Sequence, residues 1–561
     1  MKKILPNYHQ HVDIPTHKDG NTLDHCYSTI KDAYKSVARP SFGNSDHKTI
    51  LLIPTYQTKL KSCKPTFKTV RKWTDDTKAT LQNCLETSDW EMFKSSSETL
   101  DEYTDVVSSY ISFCFDNCIP AKTIKIKPND KDWVNQDFKD SVQKKFIAFK
   151  NNDEEGKKRA KYDVKKSVRR AKAIYGKKLE KQFTDGDAKG VWNGVQKITQ
   201  YKKKSKFDDC DPTLPDKLNE FYGRFDQANT NPPPIIPPAD SNSDPPFTIT
   251  ESDVRKSFKN QNIRKAAGPD GVAPSILKNC AEQLAPVFTD IFNQSLRLCK
   301  VPSCFKRSTI VPVPKKAIVS KLNDYRPVTL TSVTMKVFER FVLAFLQKST
   351  AALMDPHQFA YRSNRSVDDA VALGLHYVLQ HLENPHSYAR ILFVDYSSAF
   401  NTIIQIKLYN KLLGMNIHKS ICEWLLDFLL FRPQSVRIGD KFSNESILNT
   451  GAPQGCVLSP LLFTLFTNDC VSQNDSVKII KFSDDTTVEG LISDNNEYAY
   501  RDEVGKLVDW CQVNNFELNV SKTKEIIVDF RKKTICYYSS FNQRRRCRAG
   551  HFLQIPRHNN I

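Results

Sequence analysis

An apolar strand that stops at a carboxylate, and a hairpin that carries two more, constrain this chain more than any other feature. The run Arg390-Ile391-Leu392-Phe393-Val394 ends in Asp395 and turns toward a helix marked by Leu408, Leu412 and Leu413. Downstream, Val477 to Val488 holds two strand-like halves that meet at Asp484-Asp485. Each has a plain reading when taken alone. Asp395 can be a strand-end or N-cap acid, and Asp484-Asp485 can be turn residues, although a tight hairpin prefers Asn-Gly or Asp-Gly. Brought within ~4 Å of one another, three carboxylates repel by a few kcal/mol per pair. A fold keeps such a cluster only if cations neutralise it. Oxygen ligands without His or Cys suit Mg²⁺, and two such ions serve phosphoryl transfer by activating a hydroxyl and stabilising the leaving oxygen.

A third element lies between the two. Asn449-Thr450-Gly451-Ala452-Pro453-Gln454-Gly455-Cys456 leads to Ser459-Pro460, a suitable N-cap and first helical residue. Glycines on either side of Pro453-Gln454 allow close approach of a ligand backbone or base. A simple strand-to-helix connector is the other reading.

Charge points to the partner. The 561 residues carry 83 Lys+Arg against 63 Asp+Glu, a net of +20, which favours an anionic partner, nucleic acid or an acidic membrane surface. Between Ala121 and Lys206 stand 26 basic and 11 acidic residues, so most of the excess belongs to one arm. Within it Val164, Val168, Ala171, Tyr175 and Leu179 mark one helical face, with Lys165, Lys166, Arg169, Arg170, Lys172, Lys177 and Lys178 on the others. Such an arm either stays soluble through its charge or lies along phosphates by counterion release. No apolar run approaches the roughly 18 residues of a membrane helix. The first residues show no secretory signal, and 15 scattered cysteines without zinc spacing read as reduced thiols in an intracellular protein.

Seven of the 29 prolines fall between Asn231 and Phe247, marking a semi-rigid linker. From Thr248 to about Phe530 apolar strands alternate with amphipathic helices, as in one large α/β or α+β unit.

The strand-borne Asp395, the GAPQG loop and the F-x-D-D hairpin 89 residues after the first acid resemble the palm of a reverse transcriptase. More narrowly, FVDYSSAFNTI (Phe393–Ile403), TGAPQGCVLSPLLFTLFTND (Thr450–Asp469) and KFSDDTTVEGLI (Lys481–Ile492) resemble non-LTR, jockey-like retrotransposon polymerases. The same likeness runs through KAAGPDGVAPSILK (Lys265–Lys278), FKRSTIVPVPKK (Phe305–Lys316), NDYRPVTLTSVTMKVFER (Asn323–Arg340), HQFAYRSNRSVDDAV (His357–Val371) and FELNVSKTKEIIVDF (Phe516–Phe530). The resemblance implies an α+β fold with right-hand palm and fingers, an antiparallel palm sheet backed by helices, preceded by a basic helical extension. It implies RNA-directed DNA polymerase activity, with dNTPs added to a primer 3′-OH by two Mg²⁺ ions, Mn²⁺ substituting. RNA template and DNA primer or target are then the partners, with no membrane, and cytoplasm and nucleus the expected locations. The metal ligands would be Asp395, Asp484 and Asp485, with the Tyr396 carbonyl assisting. Phe400 would reject a ribose 2′-OH, Gln454 and Gly455 would face template base and nucleotide, Arg326 and Lys315-Lys316 would meet the triphosphate, and Lys522 would lie near the leaving pyrophosphate. Ser483 stands where this family usually has Ala.

Beyond the polymerase segment, residues 1–56 resemble the closing part of an apurinic-type endonuclease domain, with Asp46-His47 matching its terminal catalytic acid and histidine and Asp24 in its late strand. Lacking the Asn and Glu of earlier strands, this part is expected to be an inactive remnant. Residues 57–230 are expected to form the basic, mainly helical nucleic-acid-binding extension, 231–247 the linker and 248–534 the fingers and palm. The remaining 535–561, with Arg544-Arg545-Arg546, form a divergent basic tail where a thumb is expected. The alternative to a working polymerase is a truncated relic that only binds RNA or DNA through its basic arm.

Overall fold

The computed structural model describes residues 7–39, 41, 45–55, 66–71, 73–126, 131, 133–151, 153–184, 192, 211–227, 245–316 and 319–531. Most of the proline-rich linker, the end of the basic arm and the whole of 535–561 lie outside the described residues. The chain forms two compact units, one of Met1–Arg71 with Ala121–Asp208 and one of Lys72–Pro120 with Asp209–Ile561.

The first unit holds three antiparallel strand pairs: β1 (His9–Gln10) with β2 (Tyr27–Ser28), β3 (Tyr34–Arg39) with β4 (Thr49–Pro54), and β5 (Thr66–Arg71) with β6 (Ala121–Ile126). Helix Gln136–Lys150 starts where the Asn135 side chain accepts from the Phe138 N–H, and packs along the 31-residue helix Glu154–Thr184. The face foreseen in the long helix is the sheltered one. Ala171 is buried and Val164, Val168, Tyr175 and Leu179 are half-buried, while the seven named lysines and arginines are exposed. An amphipathic helix buries its apolar stripe and leaves the charged sides to water.

The second unit contains a five-stranded and a four-stranded sheet. In the first, β7 (Ser308–Pro314) and β8 (Tyr325–Thr331) form an antiparallel pair. The next strand, β9 (Ser387–Val394), belongs to the other sheet. β10 (Arg432–Ile438) then runs parallel to β7 and carries β11 (Lys441–Phe442) and β12 (Ser446–Leu448). The four-stranded sheet is antiparallel throughout, in the order β13 (Val477–Phe482), β14 (Asp485–Ser493), β9, β15 (Lys524–Val528). Together these give a mixed α+β architecture with central sheets flanked by helices.

Helices Ala281–Leu298, Val333–Thr350 and Lys419–Leu429 meet in the core, where Phe338 stacks on Phe292 at 4.5 Å and touches Trp424 edge-on at 5.0 Å. Helices Asp75–Glu86 and Leu100–Cys118 belong to the same core. Leu81, Leu85, Tyr103, Val107 and Ile111 are buried in one continuous cluster with Val254, Phe288 and Phe338. The span 57–230 is therefore not one extension: its 72–120 portion and helix Leu214–Gln227 fall in the second unit. Amphipathic periodicity shows that a helix must bury a face, not which surface covers it.

Candidate active site

The register of the four-stranded sheet builds the acidic site. Phe482 pairs with Asp485 across the hairpin, and Thr486 pairs with Val394 on the neighbouring strand, so Asp485 sits beside the Asp395 end of β9. The hairpin loop is Ser483-Asp484, with Asp485 opening β14, rather than a turn made of the two acids. Ser483 adopts φ 60°, the left-handed conformation a two-residue hairpin loop needs at its first position. Two residues hold it there. The Ser483 N–H donates to Gln358 Oε1 at 3.3 Å, and its hydroxyl lies 3.1 Å from the Tyr361 hydroxyl. Neither Gln358 nor Tyr361 was singled out from sequence, although both stand in the HQFAYRS segment.

Burial, then the neighbouring charges of Asp484 and Asp395, holds the Asp485 carboxyl above the usual carboxylate range. The three acids thus act on one another electrostatically. Among the described residues they do not converge as one ligand set within 4.8 Å, which corrects the ~4 Å expected above. Asp395 is held elsewhere. Its Oδ2 accepts from Asn519 Nδ2 at 2.8 Å and lies 3.3 Å from Lys522 Nζ. The Asp395 carbonyl accepts from the Asn519 N–H at 2.8 Å, and its own N–H reaches Thr523 Oγ1 at 3.4 Å. The N-x-x-K-T turn is thus wrapped around Asp395. Asn519 is the residue that sequence reading passed over, with attention on the lysine three positions later.

The Gly451–Gly455 loop lies against the segment after Asp395. The Gly451 N–H donates to the Ile403 carbonyl at 2.8 Å and the Ala452 N–H to the Phe400 carbonyl at 2.7 Å. Gly451 has φ 82°, and a Cβ there would stand 2.8 Å from Asn401 Cα. Gln454 Nε2 lies 3.4 Å from Asn401 Oδ1, and a Cβ on Gly455 would be 3.2 Å from the Thr329 carbonyl of β8. A cleft lined by Asp226, Thr329, Asn401, Arg432, Gln434 and Gln454 opens beside the loop. Ser459 does not cap the following helix: its hydroxyl donates to the Pro453 carbonyl at 2.7 Å. The buried Glu339 instead braces the turn just ahead of the helix, its Oε2 accepting from the N–H groups of Val457 and the N-cap Leu458 at 2.5 and 3.0 Å. A carboxyl brought in from a distant helix thus satisfies two backbone donors at the entry to this helix.

Other foreseen residues are placed as follows. Phe400 is half-buried with its ring stacked on Phe463 at 4.6 Å. The Tyr396 ring is buried against Phe516, and burial pushes its hydroxyl well above the usual range. Arg326 and Lys315 are exposed on the β7–β8 pair, where Lys315 Nζ donates to the Asn323 carbonyl at 2.8 Å and Lys316 pairs with Asp324 at 2.8 Å. Among the described residues no hydrogen bond or ion pair joins these cations to the acidic cluster.

In the first unit, His47 Nδ1 lies 2.7 Å from Asp24 Oδ2. His17, which was not foreseen, joins Asp46 and His47 in a group whose ligand atoms all lie within 4.8 Å and can take a metal ion. Among the described residues no helix is long and apolar enough to cross a membrane.

A family model described as "Reverse transcriptase (RNA-dependent DNA polymerase)" matches residues 313–548. The "Probable RNA-directed DNA polymerase from transposon BS" of Drosophila melanogaster is 26% identical over 289 residues, 49% of this chain and 32% of that protein. The "Probable RNA-directed DNA polymerase from transposon X-element" of the same organism is 27% identical over 309 residues, 52% and 33% of the two. The "RNA-directed DNA polymerase from mobile element jockey", again from Drosophila melanogaster, is 22% identical over 329 residues, 55% and 36%. This chain therefore spans about a third of the length of the curated relatives it matches. It is homologous to the RNA-directed DNA polymerases of non-LTR retrotransposons and contains a reverse-transcriptase domain.

Proposed function

We propose that the second unit is the palm and fingers of an RNA-directed DNA polymerase that adds dNTPs to a primer 3′-OH on an RNA template. The observation that carries this reading is the meeting of Asp395 with the Ser483–Asp485 hairpin on adjoining strands, beside a glycine-bounded loop. The donor set fits a hard divalent cation, since it is all carboxylate oxygen, and burial followed by the charges of Asp484 and Asp395 raises the Asp485 carboxyl, which a cation there would relieve. Asp395, Asp484 and Asp485 would hold Mg²⁺, with Mn²⁺ as a substitute. Two such ions, when bound, activate the attacking hydroxyl and stabilise the leaving oxygen of an in-line displacement.

The chain's own residues do the positioning. Asn519 and Lys522 hold Asp395 from one side, which keeps its second carboxylate oxygen available. Lys522, with 68% of its side chain exposed, is free to turn toward the departing pyrophosphate. Arg326 and Lys315 supply positive charge for the triphosphate from the β7–β8 pair. Gln454 and Gly455 would lie against the templating base, and Phe400, five residues after Asp395, would reject ribose. The test is incorporation on a primed RNA template by the full chain. Mg²⁺-dependent dNTP addition is expected, abolished by Asp484→Ala. Incorporation no greater than that of the variant would refute the proposal.

The exposed cations of helix Glu154–Thr184 favour a second, compatible activity, sequence-independent binding of RNA or DNA. Affinity should fall steeply with salt on a log–log plot, and reversing Lys165, Lys166, Arg169 and Arg170 to Glu should flatten that slope. Affinity insensitive to ionic strength would exclude it.

A further inference from the structure

Among the described residues, a group of metal-ligating side chains lies in the first unit, where two short segments run antiparallel. The Lys18 N–H donates to the Asp46 carbonyl at 3.1 Å and the Lys48 N–H to the Thr16 carbonyl at 2.7 Å. His17 and His47 therefore face each other across one bridge, their ring centres 5.1 Å apart. Each imidazole has a carboxylate at Nδ1. Asp24 Oδ2 is 2.7 Å from His47 Nδ1, and Asp19 Oδ2 is 3.2 Å from His17 Nδ1. The Asp24 backbone is itself fixed, since Thr16 Oγ1 in the interior accepts from the Leu23 and Asp24 N–H groups at 2.9 and 3.1 Å.

For His47 the pattern sets the tautomer, since the Asp24 carboxylate on Nδ1–H leaves the Nε2 lone pair as the ligand atom and raises its basicity. His17 Nδ1 meets both the Asp19 carboxylate and the Asp19 N–H, the latter at 3.3 Å, so that ring can take either tautomer. His17 Nε2 already lies 3.2 Å from Asp46 Oδ2, and one ligand atom each from His17, Asp46 and His47 falls within 4.8 Å of the others. Ion entry is open, because the Asp46 and His47 side chains are 52% and 40% exposed. Two imidazole nitrogens and one carboxylate suit Zn²⁺, with bonds of roughly 2.0–2.2 Å, far better than Mg²⁺, which asks for oxygen.

We propose that His17, Asp46 and His47 bind one divalent ion of the Zn²⁺ class, with Asp24 orienting His47 and the fourth position open to water. This site is separate from the acidic cluster and does not depend on polymerase activity. It also gives Asp46 and His47 a binding role in place of the inert one expected from sequence.

The test titrates Co²⁺ into the metal-free full chain and follows its visible absorption. One equivalent with the intense bands of four-coordinate Co²⁺ is expected, displaced by Zn²⁺ but not by Mg²⁺. His17→Ala and His47→Ala should each lose those bands, Asp24→Asn should weaken binding ~10–100-fold as loss of an orienting carboxylate does, and Asp395→Asn should leave the spectrum as it was. Only six-coordinate Co²⁺ bands in the parent, or four-coordinate bands surviving in both histidine variants, would overturn the proposal. If circular dichroism shows a histidine variant to be unfolded, Asp46→Asn and Asp24→Asn decide it, and unchanged affinity in both overturns it equally.

Discussion

Replacing Glu489 with Gln should remove a pH dependence of stability that the strand of the acidic hairpin builds in. Glu489 lies on β14, four residues after Asp485, and is 4% exposed. It packs so closely on helix Val367–Leu382 that a Cβ on Gly374 would meet its Oε1 at 2.3 Å. Its Oε2 has no hydrogen-bond partner among the described residues. Burial alone pushes its carboxyl from the usual 4.5 up to about 7. The folded chain therefore holds a proton that the unfolded chain has released. Stability from this group is fully present below pH 4.5 and is lost as pH rises toward 7. At about 1.4 kcal/mol per pH unit, that loss is ~3 kcal/mol. Glu489→Gln keeps the shape and cannot ionise. Urea unfolding of both proteins at pH 5 and pH 8 isolates the effect as a double difference, because other titrating groups cancel. The variant should gain ~2.5 kcal/mol relative to the parent between the two pH values, since part of the effect is already spent at pH 5. A difference between the proteins that is equal at pH 5 and pH 8 would refute the reasoning.

Three further outcomes follow from contacts around the acidic cluster. Gly451→Ala forces a side chain into φ 82° and against the Asn401 backbone, and should lower stability by ~2–4 kcal/mol in denaturant titration. Glu339→Ala leaves the Val457 and Leu458 N–H groups without their carboxylate; a loss of ~2–5 kcal/mol is expected, with Glu339→Gln recovering part of it, and a loss under ~1 kcal/mol would contradict the bracing role. Asn519→Ala frees Asp395 Oδ2 from its 2.8 Å hydrogen bond and should lower kcat for dNTP addition ~10-fold or more with primer–template affinity unchanged, because misplacing a reacting group costs rate rather than binding.

The acidic site was legible because its parts are local. Alternation along Arg390–Val394 and Val477–Val488 marks strands, and a strand's length sets where its acid falls. What braces those acids was not legible. Asn519 Nδ2 and Glu339 Oε2 reach their partners across 124 and 118 residues, and nothing in an N-V-S-K or V-F-E-R string reveals the distant group it will meet. Ser459 shows the converse error. Its Ser-Pro context is a sound local cap, yet the helix already begins at Ser459 with Leu458 as its N-cap, and the hydroxyl donates back to the Pro453 carbonyl. Which core the 72–120 helices join was not legible for the same reason, since Leu81, Tyr103 and Val107 show periodicity but not the surface they cover.

That last placement bears on how the protein is handled. A fragment cut to begin at Thr248, where the proline-rich stretch ends, would leave behind Leu81, Leu85, Tyr103, Val107 and Ile111. At ~1.5–3 kcal/mol for each buried side chain, the loss rivals the whole net stability of an ordinary domain. The bared face of helix Ala281–Leu298 would then invite aggregation. For expression, crystallisation or transplantation into another host protein, the working boundary is near Lys72, upstream of the basic arm. Trimming the arm from its front would take helices Asp75–Glu86 and Leu100–Cys118 out of the core of the second unit.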